Sequence, residues 1–115
     1  MKVHVKRVYD KAAKSDGYRV LVDRLWPRGV KKEEAHIDTW AKDLAPSDTL
    51  RKWFHEDPDK RFAEFQKKYR EDLQGRKEEV RALIPKRATI TLVTAAKDIE
   101  NSHVPTIKKL IEELY

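Results

Sequence analysis

The sequence predicts an α/β domain, a small, mainly parallel β-sheet flanked by helices, in one unit covering residues 1–115. Three observations carry this. Residues 18–25, YRVLVDRL, and 88–95, ATITLVTA, carry aliphatic side chains on both alternating faces, the pattern of strands buried on two sides. Segments between and after them place apolar residues at helical spacing. At 115 residues the chain suits a single hydrophobic core.

In order along the chain, residues 3–9, VHVKRVY, alternate at first and suit a strand with one polar side. The pattern slips near Arg7, where a bulge fits. Residues 10–17 form a loop that is short for a parallel crossover, so the first strand is expected to pair antiparallel or to sit elsewhere in the sheet. In 18–25, Val20 and Val22 take one face and Leu21 and Leu25 the other. Residues 37–44, IDTWAKDL, are ambiguous: Ile37, Trp40, Ala41 and Leu44 make a helical stripe, while Trp40 and Leu44 share one strand face.

Helix starts are better marked. Ser47 after Pro46 is an N-cap for a helix bearing Leu50, Trp53 and Phe54. Asp57 and Pro58 start the next, whose stripe of Phe62, Phe65 and Tyr69 runs toward Leu73 and a stop at Gly75. Val80, Leu83 and Ile84 mark a short helix closed by Pro85. Finally, Ser102 caps a helix with Val104, Ile107, Leu110, Ile111 and Leu114 on one face, and Pro105 is tolerated in its first turn.

Basic residues number 26 against 20 acidic ones, giving a formal charge of +6. Most of these charges interleave as on ordinary helix surfaces, so the surplus permits nucleic acid, anionic metabolites or acidic proteins as partners without selecting among them. The absence of cysteine excludes disulfides, thiolate nucleophiles and cysteine-based metal sites. Apolar runs are too short for a transmembrane helix, and Met1 leads straight into VHV with no signal peptide, so a cytoplasmic protein without a membrane partner is expected.

If 18–25 and 88–95 are parallel neighbours, their carboxyl ends share the edge where ligands bind in open α/β sheets. DRLWPRG follows the first and AAKD the second, which brings Asp23, Arg24, Arg28, Lys97 and Asp98 toward one crevice. Pro27 and Gly29 end the first strand there. Arg28 and Lys97 are the candidate anion ligands, one a bidentate fork and the other a mobile point charge. Asp23 is a candidate base or arginine-orienting group, with mutual neutralisation by Arg24 as the plain structural alternative. Of the tryptophans, Trp26 is the candidate for ligand stacking, while Trp40 and Trp53 read as core. His103 lies at a helix start, which attracts anions, and is a candidate acid/base beside a bound phosphate. No phosphate loop, nucleophile elbow, zinc-finger pattern or metal-ligand spacing occurs, and no motif names a cofactor.

KRVYD, SDGYRVLVDRLWPRGVKK, WAKDLAPS with LRKWF, and TLVTAAKDIENSH together resemble the YeaO-like family of small bacterial proteins, a domain of unknown function. The resemblance spans nearly the whole chain and implies an α/β fold with a strand within 37–44. It implies weight on residues 23–29, on Trp40, Pro46 and Ser47, and on Lys97, Asp98, Asn101 and His103. Longer relatives carry Cys-x-Glu at the end of the late strand and Cys-His-Arg at the following helix. Here those positions are Thr94 and Ala96, then Ser102, His103 and Val104, so a thiol- or metal-dependent role lacks its ligands.

Two functions are therefore expected to compete. One is an enzyme or small-molecule-binding domain for an anion such as a phosphate or nucleotide, using Asp23 and His103 for proton transfer and Arg24, Trp26, Arg28, Lys97, Asp98 and Asn101 for binding. The other is a nucleic-acid-binding or transcription-regulatory protein. A partner-binding module is a third reading.

Overall fold

Four strands form one all-parallel sheet in the computed structural model, which describes residues 1–115. They are β1 (Lys2–Arg7), β2 (Tyr18–Leu21), β3 (Thr39–Trp40) and β4 (Thr89–Thr94), in the spatial order β1-β4-β2-β3. The expected neighbours β2 and β4 do pair in parallel, with Val20 opposite Leu92 and Leu21 opposite Val93. The first strand is parallel too and lies on the far side of β4. Residues 8–17 therefore pass across β4, and the Thr91 hydroxyl donates to the Asp16 carbonyl at 2.7 Å beneath that crossing. A loop is long enough here because only one strand is crossed.

Five helices complete the chain: α1 (Lys32–Ala35), α2 (Asp48–Glu56), α3 (Pro58–Gln74), α4 (Lys77–Leu83) and α5 (Val104–Leu114). None is long and apolar enough to cross a membrane. The Ser47 hydroxyl caps α2 by accepting the Leu50 N–H at 3.1 Å, as its sequence position implies. Ser102, expected as the cap of α5, lies one residue before it: His103 takes the N-cap position without a side-chain cap, and the Ser102 hydroxyl accepts the Val104 N–H at 3.1 Å from outside the helix. Asp57, by contrast, makes no side-chain cap at α3; Pro58 alone marks that start.

Strand alternation sorts the core into two layers. Val20, Val22, Ile90 and Leu92 face Tyr69 and Leu73 of α3, Val80 of α4, and Val104, Ile107, Leu110 and Ile111 of α5. Leu21 and Val93 point to the other face, where Val8 and Ala35 cover them, with Trp26, Val30, Ile37 and Trp40 partly buried alongside. Arg19 shares that second face and is itself buried. Its guanidinium donates to Asp16 at 2.6 Å and to the carbonyls of Ala35 and His36, while Lys6 reaches Asp16 at 2.8 Å. Each buried charge thus has several partners, the condition for tolerating it away from water.

Four expectations change. The strand beginning at Tyr18 stops at Leu21, so Leu25 lies beyond it and is 72% exposed rather than buried. Residues 37–44 contain both alternatives in miniature, with the two-residue β3 followed by a 3-10 turn over Lys42–Leu44. The bulge expected near Arg7 is absent, since β1 keeps continuous register with β4 from Lys2 to Arg7. Trp53 belongs to neither core layer; it is half-buried under the cations of Arg61 and Lys68, 4.9 and 4.3 Å from its ring centre.

Candidate functional site

Because every strand is parallel, all four carboxyl ends meet at one edge, and the loops that follow them surround a cleft of about 850 Å³. Asp23, Arg24, Trp26, Arg28, Lys97, Asp98, Asn101 and His103 all line it. The strand-end rule thus gathers residues from two loops far apart in sequence. Their partners separate them into groups with different capacities.

Asp23 is largely engaged. One carboxylate oxygen accepts the Thr94 hydroxyl at 2.7 Å, the other accepts the Ala95 N–H at 2.7 Å, and His103 Nε2 lies 3.4 Å from the first. Burial by itself would raise this carboxyl, but the hydrogen bonds from His103, Ala95 and Thr94 outweigh it and hold the group below the ordinary carboxylate range. Such a carboxylate is a weak base. His103 Nε2 also lies 2.9 Å from the Val22 carbonyl, which can only accept, so that nitrogen carries the hydrogen. The imidazole is further placed by an edge contact with buried Tyr69, whose hydroxyl donates to the Leu44 carbonyl at 2.6 Å.

Arg24 does not pair with its neighbour Asp23. It donates to the Pro46 carbonyl at 3.2 and 3.3 Å and lies 3.7 Å from Asp48, tying the loop after β2 to the start of α2. Trp26 is similarly engaged: its indole N–H donates to the Val30 carbonyl at 2.7 Å, and its ring meets Trp40 edge-on at 5.5 Å. Trp40 in turn donates to the Asp23 carbonyl at 2.8 Å, fixing the tip of β2 from below. Asp98 and Asn101 satisfy one another, through a 2.7 Å side-chain bond and a longer one from the Asn101 N–H.

Arg28 and Lys97 differ from all of these. Both are exposed, and the side chain of neither enters a hydrogen bond or ion pair within the protein. The main chain at Arg28 is nevertheless held, since its carbonyl accepts the Tyr9 hydroxyl at 3.4 Å. Four cations and three carboxylates line the cleft, which leaves it a net positive charge with histidines neutral.

A family model described as the inactive DUF488-N3 subclade matches residues 2–115. The chain belongs to this family. Among its relatives, the uncharacterized protein YeaO of Escherichia coli K12 is 40% identical over 116 residues, covering 99% of this chain and 100% of its own. The uncharacterized protein Rv3073c of Mycobacterium tuberculosis H37Rv is 41% identical over 112 residues, covering 96% of this chain and 93% of its own. No solved structure matches.

In this DUF488-N3 domain the cleft also contains residues that sequence reasoning passed over, namely Tyr9, Leu25, Asp48, Arg51, Phe54, His55 and Phe65. Most enter through α2. A signal for them existed: β3 is parallel as well, so the segment after Trp40 reaches the same edge. A two-residue strand is too short to announce that through periodicity. Thr94, the last residue of β4, was likewise passed over as an Asp23 partner.

Proposed function

We propose that this domain binds a small anionic ligand, such as a phosphate group, in the cleft at the carboxyl edge of its sheet. The carrying observation is that Arg28 and Lys97 are the two cleft cations without a protein partner, on the loops that follow neighbouring strands β2 and β4. Arg24 is held by Pro46 and Asp48, and Arg51 lies 3.4 Å from Asp48. An arginine fork and a flexible ammonium facing one space suit a compact anion with several oxygens.

The reading favours binding over proton chemistry at Asp23. Its two oxygens are occupied and its carboxyl is held in the anionic form, so it serves better as a fixed support for the loops than as a base. The family description as inactive agrees with this, as does Thr94, whose hydroxyl is spent on Asp23 and on the Ala96 N–H. Asp23, Asp48 and Asp98 interrupt the basic residues around the cleft, which fits a discrete anion better than the continuous backbone of a nucleic acid.

Calorimetric titration with inorganic phosphate, pyrophosphate and nucleoside phosphates tests the proposal. Binding is expected for at least one, weakened by Arg28→Ala and by Lys97→Ala with folding intact. Absence of binding by all three at low salt, or affinity unchanged in both variants, would overturn it.

A further inference from the structure

We infer that the ligand is an amphipathic anion, an aryl or acyl chain joined to a phosphate or carboxylate, with Leu25 as the residue that selects its apolar part. This rests on the anion reading above and adds the chemistry of the other half of the molecule. Three large hydrophobic side chains are substantially exposed: Leu25 at 72%, Tyr9 at 52% and Met1 at 44%. Leu25 and Tyr9 both line the cleft. A single exposed leucine is ordinary on a protein surface. Here the exposed leucine shares one cleft with two unpaired cations and with Tyr9. The Tyr9 ring lies under the Arg7 guanidinium at 5.0 Å and its hydroxyl is held by the Arg28 carbonyl, so Leu25 is the unengaged apolar group of a more specific arrangement.

The same cleft has apolar lining elsewhere: Phe54 and Phe65, both buried, stack with ring centres 4.3 Å apart and contribute to its wall. Inorganic phosphate would use Arg28 and Lys97 and leave this surface wet. A ring or short chain attached to the anion would cover it, and the cleft volume falls within the range that encloses molecules of that size. A second copy of the chain fits less well, because apposing two such clefts brings Arg28 and Lys97 of each copy together.

Titrations with inorganic phosphate, 1-naphthyl phosphate, octyl phosphate and neutral 1-naphthol separate the contributions. Naphthyl or octyl phosphate is expected to bind about tenfold or more tightly than inorganic phosphate, from the apolar area removed from water. The better of the two identifies the apolar body as ring or chain. Leu25→Ser should reduce that advantage several-fold while leaving inorganic phosphate affinity unchanged, and its unfolding midpoint should match wild type because the side chain is exposed. Phosphate binding with no advantage for either ester overturns this inference and leaves the anion reading standing. No binding by any phosphate overturns both, and naphthol binding as tightly as naphthyl phosphate shows that the two halves are not recognised together and overturns this inference. An ester advantage unchanged in Leu25→Ser overturns the role of that residue.

Discussion

The two ends of β2 carry similar residues to opposite purposes. At the entry, Asp16 and Arg19 are buried at 4% exposure each and bound to one another, to Lys6 and to main-chain groups. At the exit, Asp23 is tied to Thr94 and Ala95, Arg24 to Pro46, and the Arg28 side chain to nothing. Both ends contain arginine, aspartate and a glycine in the left-handed region, Gly17 at φ +65° and Gly29 at φ +77°. The difference is partnering. Every charged side chain at the entry is answered within the fold, whereas at the exit the Arg28 side chain is not, and that unanswered cation is what sets the exit apart from a closed structural network.

Substitutions can break this contrast from either side. The largest expected effect is at the closed end: Arg19→Ala leaves Asp16 with fewer partners in a buried setting and should cost about 3–5 kcal/mol, read from urea unfolding. Gly17→Ala comes next. An added Cβ would lie 2.3 Å from the Thr89 carbonyl oxygen, while Gly29 has open space around it. Gly17→Ala should therefore cost about 2–4 kcal/mol and Gly29→Ala about 1, the latter from backbone conformation alone. Equal losses at the two glycines would dissolve the contrast.

Asp23→Asn sharpens it through pH. Hydrogen bonds from His103, Ala95 and Thr94 outweigh the effect of burial, so the folded Asp23 carboxyl lies below its unfolded value near 4. Its stabilisation is fully present above about pH 4 and is lost as pH falls through the lowered folded value. The variant should be less stable by about 1–3 kcal/mol at pH 7, with the gap to wild type narrowing below about pH 4 in unfolding curves taken at each pH. A gap that widens in acid would contradict that sign. The smallest stability effect belongs to Arg28→Ala and Lys97→Ala, which should leave the unfolding midpoint unchanged while weakening the proposed anion binding.

Much of the fold was legible locally. Branched residues marked β2 and β4, Ser47 marked the start of α2 and Ser102 that of α5 to within one residue, and the shared strand edge brought all eight candidate residues to one cleft. Short or exceptional elements were less legible. The pair Thr39–Trp40 is too brief to show a period, and Leu25 fits a strand pattern that ends four residues earlier. Burial of Arg19 within β2 was invisible too, because its partners come partly from Ala35 and His36 in a later segment.

By itself, then, the sequence determined where the longer strands and helices lie, though not the four-residue α1 or the two-residue β3, and which edge collects the charged loops. Branching, capping and proline act over a few residues and leave a periodic trace. Only the tertiary structure decided which of those charges are spent. Arg24 is satisfied by Pro46, Asp23 by Thr94 and Ala95, and Trp26 by Val30 and Trp40, while Arg28 and Lys97 find no partner. A charge is available for a ligand only when nothing folded beside it answers it, and that depends on contacts between segments distant along the chain.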